Sequence, residues 1–289
     1  MDAIEQYVAP ASLEQAVEYL QQAGGVTILA GGTDLMPQSQ SGKLKFGRTL
    51  MNIHGVPELK GIAIDGAAIR IGALATITEI MENALVKQHL PILIEACDHF
   101  ASDQIRNAAT LGGNVCNASP AGDMLVPLIV LDAEVELASK PNGSLARRCM
   151  ALAEFFVGPG KTRRGPAELL TGIRIPLPPQ RHFARFFKFG TRPALDISTI
   201  SIGIAGVLNK GALSNVRVAF GAVAPVPMRA PRTEQALEGK RLDPATMEAV
   251  ADVARDEVNP IDDIRATAWY RKELIHNITR RMLAHVAHA

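Results

Sequence analysis

The chain has only three cysteines in 289 residues, Cys97, Cys116 and Cys149, and no two have the close spacing of a zinc or iron–sulfur site. Unpaired thiols packed as small hydrophobes are expected. If the protein handles electrons, it must hold a carrier that needs no cysteine ligand. A surplus of one charge is also lacking. Thirty Lys and Arg against 29 Asp and Glu leave a net charge of +1, which excludes a dedicated nucleic-acid binder, whose phosphate partners demand a basic surface. No apolar run is long enough to cross a bilayer, residues 124–131 being typical of the longest. Residues 1–15 lack the basic-then-apolar pattern of a secretory signal. A cytoplasmic protein without membrane insertion is expected. Catalytic signatures are missing too: there is no G-x-S-x-G and no H-E-x-x-H. The seven histidines are dispersed; His276, His285 and His288 fall on a terminal helix and read as solvated surface groups.

Apolar residues make up 47% and charged residues 20%, enough to bury a core without disulfides or metals. Ser12 and Gln15 resemble a capping box opening a helix whose Leu13, Ala16, Val17 and Leu20 share one face, with Gly24 and Gly25 ending it. Strands are predicted at 27–30, 50–53, 62–64 and 69–71. Thr76 and Glu79 form a second capping box, and Pro91 opens a further helix. Residues 101–123 are rich in Asn, Gly, Ser and Thr and read as one long functional loop. A strand follows at 133–138, and Pro176, Pro178 and Pro179 form a boundary. Beyond it lie strands at 183–189, 197–208 and 216–223, a helix capped by Asp243, and a last helix over about 267–286. Strands and helices mix without strict alternation, so the class is α+β.

Two segments carry chemistry. Thr27, Ile28, Leu29 and Ala30 form a buried strand that delivers the chain to Gly31, Gly32, Thr33 and Asp34. Glycines there permit positive φ and let free N–H groups cradle an anion such as a pyrophosphate. Thr110, Leu111, Gly112, Gly113 and Asn114 repeat the device inside the polar stretch, so two glycine bends could embrace one diphosphate. Asp123, a few residues on, could accept from a sugar hydroxyl or a ring N–H. Neither segment is G-x-G-x-x-G opening a helix, and neither is followed by the Gly-Lys-Ser/Thr of an ATPase loop. A protein without a catalytic side-chain constellation can leave the hard chemistry to a bound cofactor.

At this point the residues resemble a family. Ala30-Gly31-Gly32-Thr33-Asp34-Leu35 resembles the first FAD-binding motif of molybdopterin-dependent hydroxylase flavoproteins, the xanthine and carbon monoxide dehydrogenase type. The stretch from Ile105 through Arg106 and Asn107 to Gly112-Gly113-Asn114 resembles their second motif, continued by Ser119-Pro120-Ala121-Gly122-Asp123. Phe187-Lys188, Asp196-Ile197-Ser198 and Ala219-Phe220-Gly221-Ala222 extend the likeness toward the C-terminus.

The resemblance implies a two-part FAD-binding domain of the PCMH type over 1–176, with parts at about 1–56 and 57–176. It implies a C-terminal antiparallel sheet with helices over 177–289. It implies FAD held by residues 27–34 and 110–114, Asp123 near the flavin or ribityl chain, Leu170 at the adenine side or ring edge, and Lys188 as a cation beside the ring. It further implies a molybdenum-cofactor large subunit and a 2Fe–2S small subunit as partners, in a heterotrimer that can pair into a dimer of heterotrimers. Electrons would pass from the 2Fe–2S clusters through FAD to NAD or another acceptor. The cysteine-rich insertion that holds a 4Fe–4S cluster in some relatives is missing, so no cluster is expected on this chain. A stand-alone flavin oxidoreductase and a non-redox nucleotide-binding scaffold stay open as alternatives.

Overall fold

The structure, a computed structural model, describes residues 4–22, 24–192, 195–209 and 211–287; His288 lies outside them. The first part is a three-stranded parallel sheet in the order Gln6–Val8, Thr49–Asn52, Val26–Leu29. The helix Leu13–Gln22 connects its outer strands. Gln15 N–H donates to Ser12 Oγ at 3.3 Å, and Leu13, Ala16, Val17 and Leu20 are buried against Val8, Met51 and Ile53. Its last strand, Val26–Leu29, ends at the first glycine segment and so aims residues 30–34 off the sheet edge.

The second part is a five-stranded antiparallel sheet, in the order Ile62–Asp65, Ala68–Gly72, Leu169–Pro176, Glu134–Ser139, Ala146–Ala151. One face carries Ile69, Ile71, Ile173, Ile175, Val135 and Leu137 into a core closed by short helices between residues 77 and 130. The Thr76–Glu79 capping box is complete, with both reciprocal bonds made.

The third part is a four-stranded antiparallel sheet of His182–Phe189, Ile200–Asn209, Ala212–Gly221 and Met228–Arg229. Helices Pro231–Leu237, Pro244–Glu257 and Ala268–Ala287 follow. This sheet is buried on both faces. Ile202, Ile204, Val218 and Phe220 pack toward its own helices, while Ala184, Phe186, Ala205 and Ala219 join the core of the second part. Burial on two sides explains the near-continuous apolar run of Ile200–Asn209. Gly203 lets the helix Leu125–Val130 lie against the sheet, since a Cβ there would meet Val126 Cγ1 at 2.9 Å. Polar ties cross the same junction: Arg217 and Arg229 pair with Asp132, and the Phe186 N–H donates to Glu95 at 2.7 Å.

The α+β class, with a two-part first region and an antiparallel C-terminal sheet, is the one observed. Two sequence expectations are corrected. Residues 101–123 are not one loop but contain the helices Asp103–Arg106 and Leu111–Asn117. Ser102 and Thr110 cap them, each accepting from an N–H three residues on. His276 is not a solvated surface group: it is buried between the last two helices, 3.3 Å from Glu248 and 3.4 Å from Asp252. No helix of the described residues is long and apolar enough to cross a membrane.

Candidate cofactor-binding site

Two cavities of about 440 Å³ each run between the parts and meet at Thr33, Asp34, Phe100, Asn114 and Asn117, which line both. The glycine segments at 30–34 and 110–114 face each other across the first cavity. The first lies against the chain just before the second because Gly31 has no side chain: a Cβ there would stand 1.9 Å from the Ala108 carbonyl oxygen.

The first segment leaves its backbone donors free. Gly32 has a φ of +71°, which an L side chain tolerates poorly. Among the described residues, the N–H groups of Gly31, Gly32, Thr33 and Asp34 donate to no group of the chain. Four adjacent unpartnered donors at a cleft are a binding surface for a phosphate.

The second segment does not repeat the device, and the expectation of twin bends is corrected. Neither Gly112 nor Gly113 has a positive φ; both lie in the first turn of the helix Leu111–Asn117. Their donors are engaged within the chain: Leu111 N–H bonds Ala75 O at 2.9 Å, Gly112 N–H bonds Ala73 O at 2.9 Å, and Gly113 N–H bonds Thr110 Oγ1 at 3.0 Å. Gly112 is required by close packing, since its Cβ would meet the Ala73 oxygen at 2.7 Å. What this segment offers the cleft is the Asn114 side chain, whose Oδ1 is buried without a partner, a state that invites a ligand donor.

The other expected residues fall as follows. Thr27, Ile28, Ala30 and Leu170 line the first cavity, and Asp123 lines the second. Leu29 and Leu111 line neither, Leu111 being fully buried in the core. Lys188 also lies outside both linings. Its ammonium, on a side chain only 4% exposed, donates to Asp123 Oδ2 at 2.8 Å and to the carbonyls of His99 and Asp196, each at 3.0 Å. All three donors of the ammonium are thereby used. The Lys188 charge, expected beside the ring, is paired with Asp123. Burial pushes the Asp123 carboxyl above its ordinary value, opposed by Lys188 and by the Ser198 hydroxyl, which donates to Oδ1 at 2.9 Å.

Sequence reasoning missed several lining residues. Phe100 is the single aromatic side chain of either lining. Lys45 and Arg164 supply positive charge to the first cavity, whereas Asp123 and Asp196 line the second. Arg164 is anchored through Nη1 to the carbonyls of Gly165 and Glu168, leaving the rest of its fork available. No motif signals these positions, because three chain segments converge to make the cleft. Cys116 lines the first cavity as well, its thiol pushed up to about 11 by burial. It is thus no nucleophile at neutral pH.

Two joined cavities with free backbone donors, a basic half, an acidic half and an aromatic wall offer the groups that a dinucleotide would use. The comparisons specify which kind. Residues 3–178 match the family described as FAD binding domain in molybdopterin dehydrogenase, and residues 185–286 match the CO dehydrogenase flavoprotein C-terminal domain. The xanthine dehydrogenase FAD-binding subunit of Escherichia coli O157:H7 is 34% identical over 280 residues, 96% of this chain and 94% of the relative. The glyceraldehyde dehydrogenase medium chain of Sulfolobus acidocaldarius is 31% identical, over 97% of this chain and 98% of that one. A solved carbon monoxide dehydrogenase of Hydrogenophaga pseudoflava, lacking the Mo-pyranopterin moiety, superposes with a TM-score of 0.91 at 30% identity, covering 97% of this chain and 96% of that one. The chain belongs to the FAD-binding flavoprotein family of the molybdopterin dehydrogenases. It is an FAD-binding oxidoreductase subunit of the molybdenum hydroxylase type.

Proposed function

We propose that this chain is the electron-relay subunit of a cytoplasmic complex, taking electrons from the 2Fe–2S clusters of a small partner subunit and passing them to NAD or another acceptor. A molybdenum-cofactor large subunit would oxidise the substrate, and two such heterotrimers would pair. The observation that carries the reading is the row of four unpartnered N–H groups at Gly31, Gly32, Thr33 and Asp34, opening on two joined cavities of about 440 Å³ each. These groups would hold the diphosphate, with Lys45 and Arg164 neutralising its charge. Ile28 and Leu170 offer apolar surface to the adenine side, Asn114 and Asp123 offer acceptors to the sugar and polyol hydroxyls, and Phe100 walls both cavities. Bound FAD supplies the chemistry that links single-electron donors to an acceptor of electron pairs.

A relay fits better than a stand-alone oxidoreductase because the lining offers little to activate a substrate. It contains no histidine, and its thiol is held protonated. The chain's own work is then to position the cofactor, exclude water behind Phe100, and fix the local charge through the Lys188–Asp123 pair. The test is purification of the native complex, with flavin, iron and molybdenum counted per chain and reoxidation compared between NAD and oxygen. One FAD per chain accompanied by both metals is expected. Flavin without molybdenum or iron–sulfur partners would favour the stand-alone reading.

A further inference from the structure

Outside the two cavities, a buried polar network surrounds one irregular point of the second sheet. Against Glu134–Ser139, the strand Leu169–Pro176 pairs Leu170 with Leu137 and Gly172 with Glu136, so Thr171 is an extra residue and the strand bulges there. The bulge reverses the alternation of side chains. Ile173 and Ile175 face the core of the second part. In an unbroken strand Thr171 would join them, and Leu170 would turn to the opposite face, with Arg70 and Glu136. Instead Leu170 enters that core and Leu169 enters the core of the first part. Both leucines line the first cavity, whereas Thr171, Glu136 and Arg70 line neither.

Thr171 is fully buried. Its hydroxyl donates to the Glu136 carboxylate, which also accepts from Arg70 Nη2 at 3.0 Å and Arg147 Nη1 at 2.9 Å. Its carbonyl accepts from Arg70 Nη2 and from Ala73 N–H, each at 3.0 Å. Burial works against a charge on Glu136, but the Thr171 hydroxyl and Arg70 outweigh it and hold the carboxyl below its ordinary value. The carboxylate can then only accept, and the hydroxyl proton is committed to it. A buried ion pair is a poor way to stabilise a sheet, since apolar side chains of the same size would serve as well. What apolar side chains could not do is hold the hydroxyl and the carbonyl of one extra residue at once. We infer that Thr171, with Glu136 and Arg70 behind it, is a positioning residue for the cofactor: the bulge it locks turns Leu170 to the first cavity, as the apolar wall against which the adenine end rests. The inference rests on the FAD reading and adds to it three residues outside the lining of the cleft.

The test uses the full chain in the complex that co-purifies with it, freed of flavin by dialysis against bromide. Calorimetric titrations with FAD, ADP and FMN compare ligands that carry the adenine end with one that lacks it. Thr171→Val keeps the shape of the side chain and removes the hydroxyl; Thr171→Ser keeps the hydroxyl. In Thr171→Val, affinity for FAD and for ADP should fall by the same factor, about five- to tenfold, while FMN changes less than about twofold. Thr171→Ser should bind FAD and ADP within about twofold of the parent. Glu136→Gln keeps an acceptor oxygen and loses the charge. It should show the same selectivity at about two- to threefold, and it decides the question if the valine variant does not assemble. An equal loss of all three ligands, or unchanged ADP binding, would mean that the network serves only the sheet, and would overturn the inference. So would a serine variant as weak as the valine one. If the unmodified complex binds ADP but neither flavin nucleotide, the FAD assignment itself fails, and the bulge stands or falls on the ADP titrations alone.

Discussion

At residues 31–34 the backbone donors are left without a chain partner, whereas those at 111–114 are bonded to Ala75, Ala73, the Thr110 hydroxyl and the Thr110 carbonyl. Both segments carry a Gly-Gly pair, and in both a side chain would collide with a neighbouring backbone. The difference lies in where the N–H groups point their bonds. A glycine pair marks a place where something comes close; the donors decide whether that something is the protein or a ligand. The second cavity extends the contrast. Lys188, the natural choice for a cation near a cofactor, has all three of its donors engaged by the chain. Groups engaged within the chain should matter for stability, and free groups for binding.

The largest effect is expected where an engaged charge is removed. Lys188→Met leaves the Asp123 carboxylate, 13% exposed, without its cation, and breaking such a buried pair costs about 3–5 kcal/mol. The double variant Lys188→Met/Asp123→Asn removes both charges and should recover most of that loss. Chemical denaturation of the three proteins measures it. If the single variant is as stable as the parent, Lys188 is not structural and the contrast between engaged and free groups fails at its strongest point.

Gly31→Ala should come next, at about 3 kcal/mol, because its methyl would meet a backbone oxygen that can move only with the second segment. Gly112→Ala meets the Ala73 backbone less severely and should cost about 2 kcal/mol. The two should differ in kind as well as in size. Gly31→Ala pushes apart the two sides of the cleft and should lose FAD beyond its stability cost. Gly112→Ala should lose FAD only to the extent that the fold loosens. Melting temperatures set against flavin content separate these; a proportional loss in both would erase the distinction between the segments.

Much of the frame was readable before any coordinates. The Ser12 hydroxyl that accepts from Gln15 N–H, the capping box at Thr76, the amphipathic face of Leu13–Gln22 and the Asp243 cap are local patterns with local causes. The first glycine segment was readable for the same reason. What escaped reading depended on distant partners. The helix Leu111–Asn117 carries two glycines and little amphipathic signal, and it is held by Ala73 and Ala75 in the turn after the strand Ala68–Gly72. Leu125–Val130 is buried all round, so its periodicity cannot declare it a helix. The edge strand Ala146–Ala151 is mostly exposed and carries Arg147 and Arg148, without the apolar alternation that marks a half-buried strand. Likewise, Lys188 could be recognised as a site residue by resemblance, but its partners at His99 and Asp196 could not be foreseen.

A smaller effect tests the cap of the second segment. Thr110→Val removes the hydroxyl that accepts from Gly113 N–H and should cost about 1 kcal/mol. It should leave the 31–34 donors untouched, so FAD affinity per folded molecule should be unchanged. A selective loss of flavin in this variant would show that the capped turn contacts the ligand after all.

The smallest effect concerns Asp34, and it carries a sign that the engaged groups do not share. Burial raises its pKa above the ordinary 3.8, and no partner opposes the shift. Well below pH 3.8 the carboxyl is neutral in both folded and unfolded chains and costs nothing. As pH rises from there through the elevated folded value, the folded protein ionises later than the unfolded chain, and stability falls slightly because the residue is only partly covered. Asp34→Asn should therefore raise the urea midpoint of the flavin-free protein at pH 7 and leave it unchanged near pH 3. FAD binding should weaken at the same time, since a carboxylate that lines both cavities is replaced. A residue that lowers the stability of the empty fold and has no partner within it is kept for something outside the fold. If Asp34→Asn is neutral at both pH values, or stabilises equally at both, the carboxylate is not the partnerless group that the comparison of the two segments makes it.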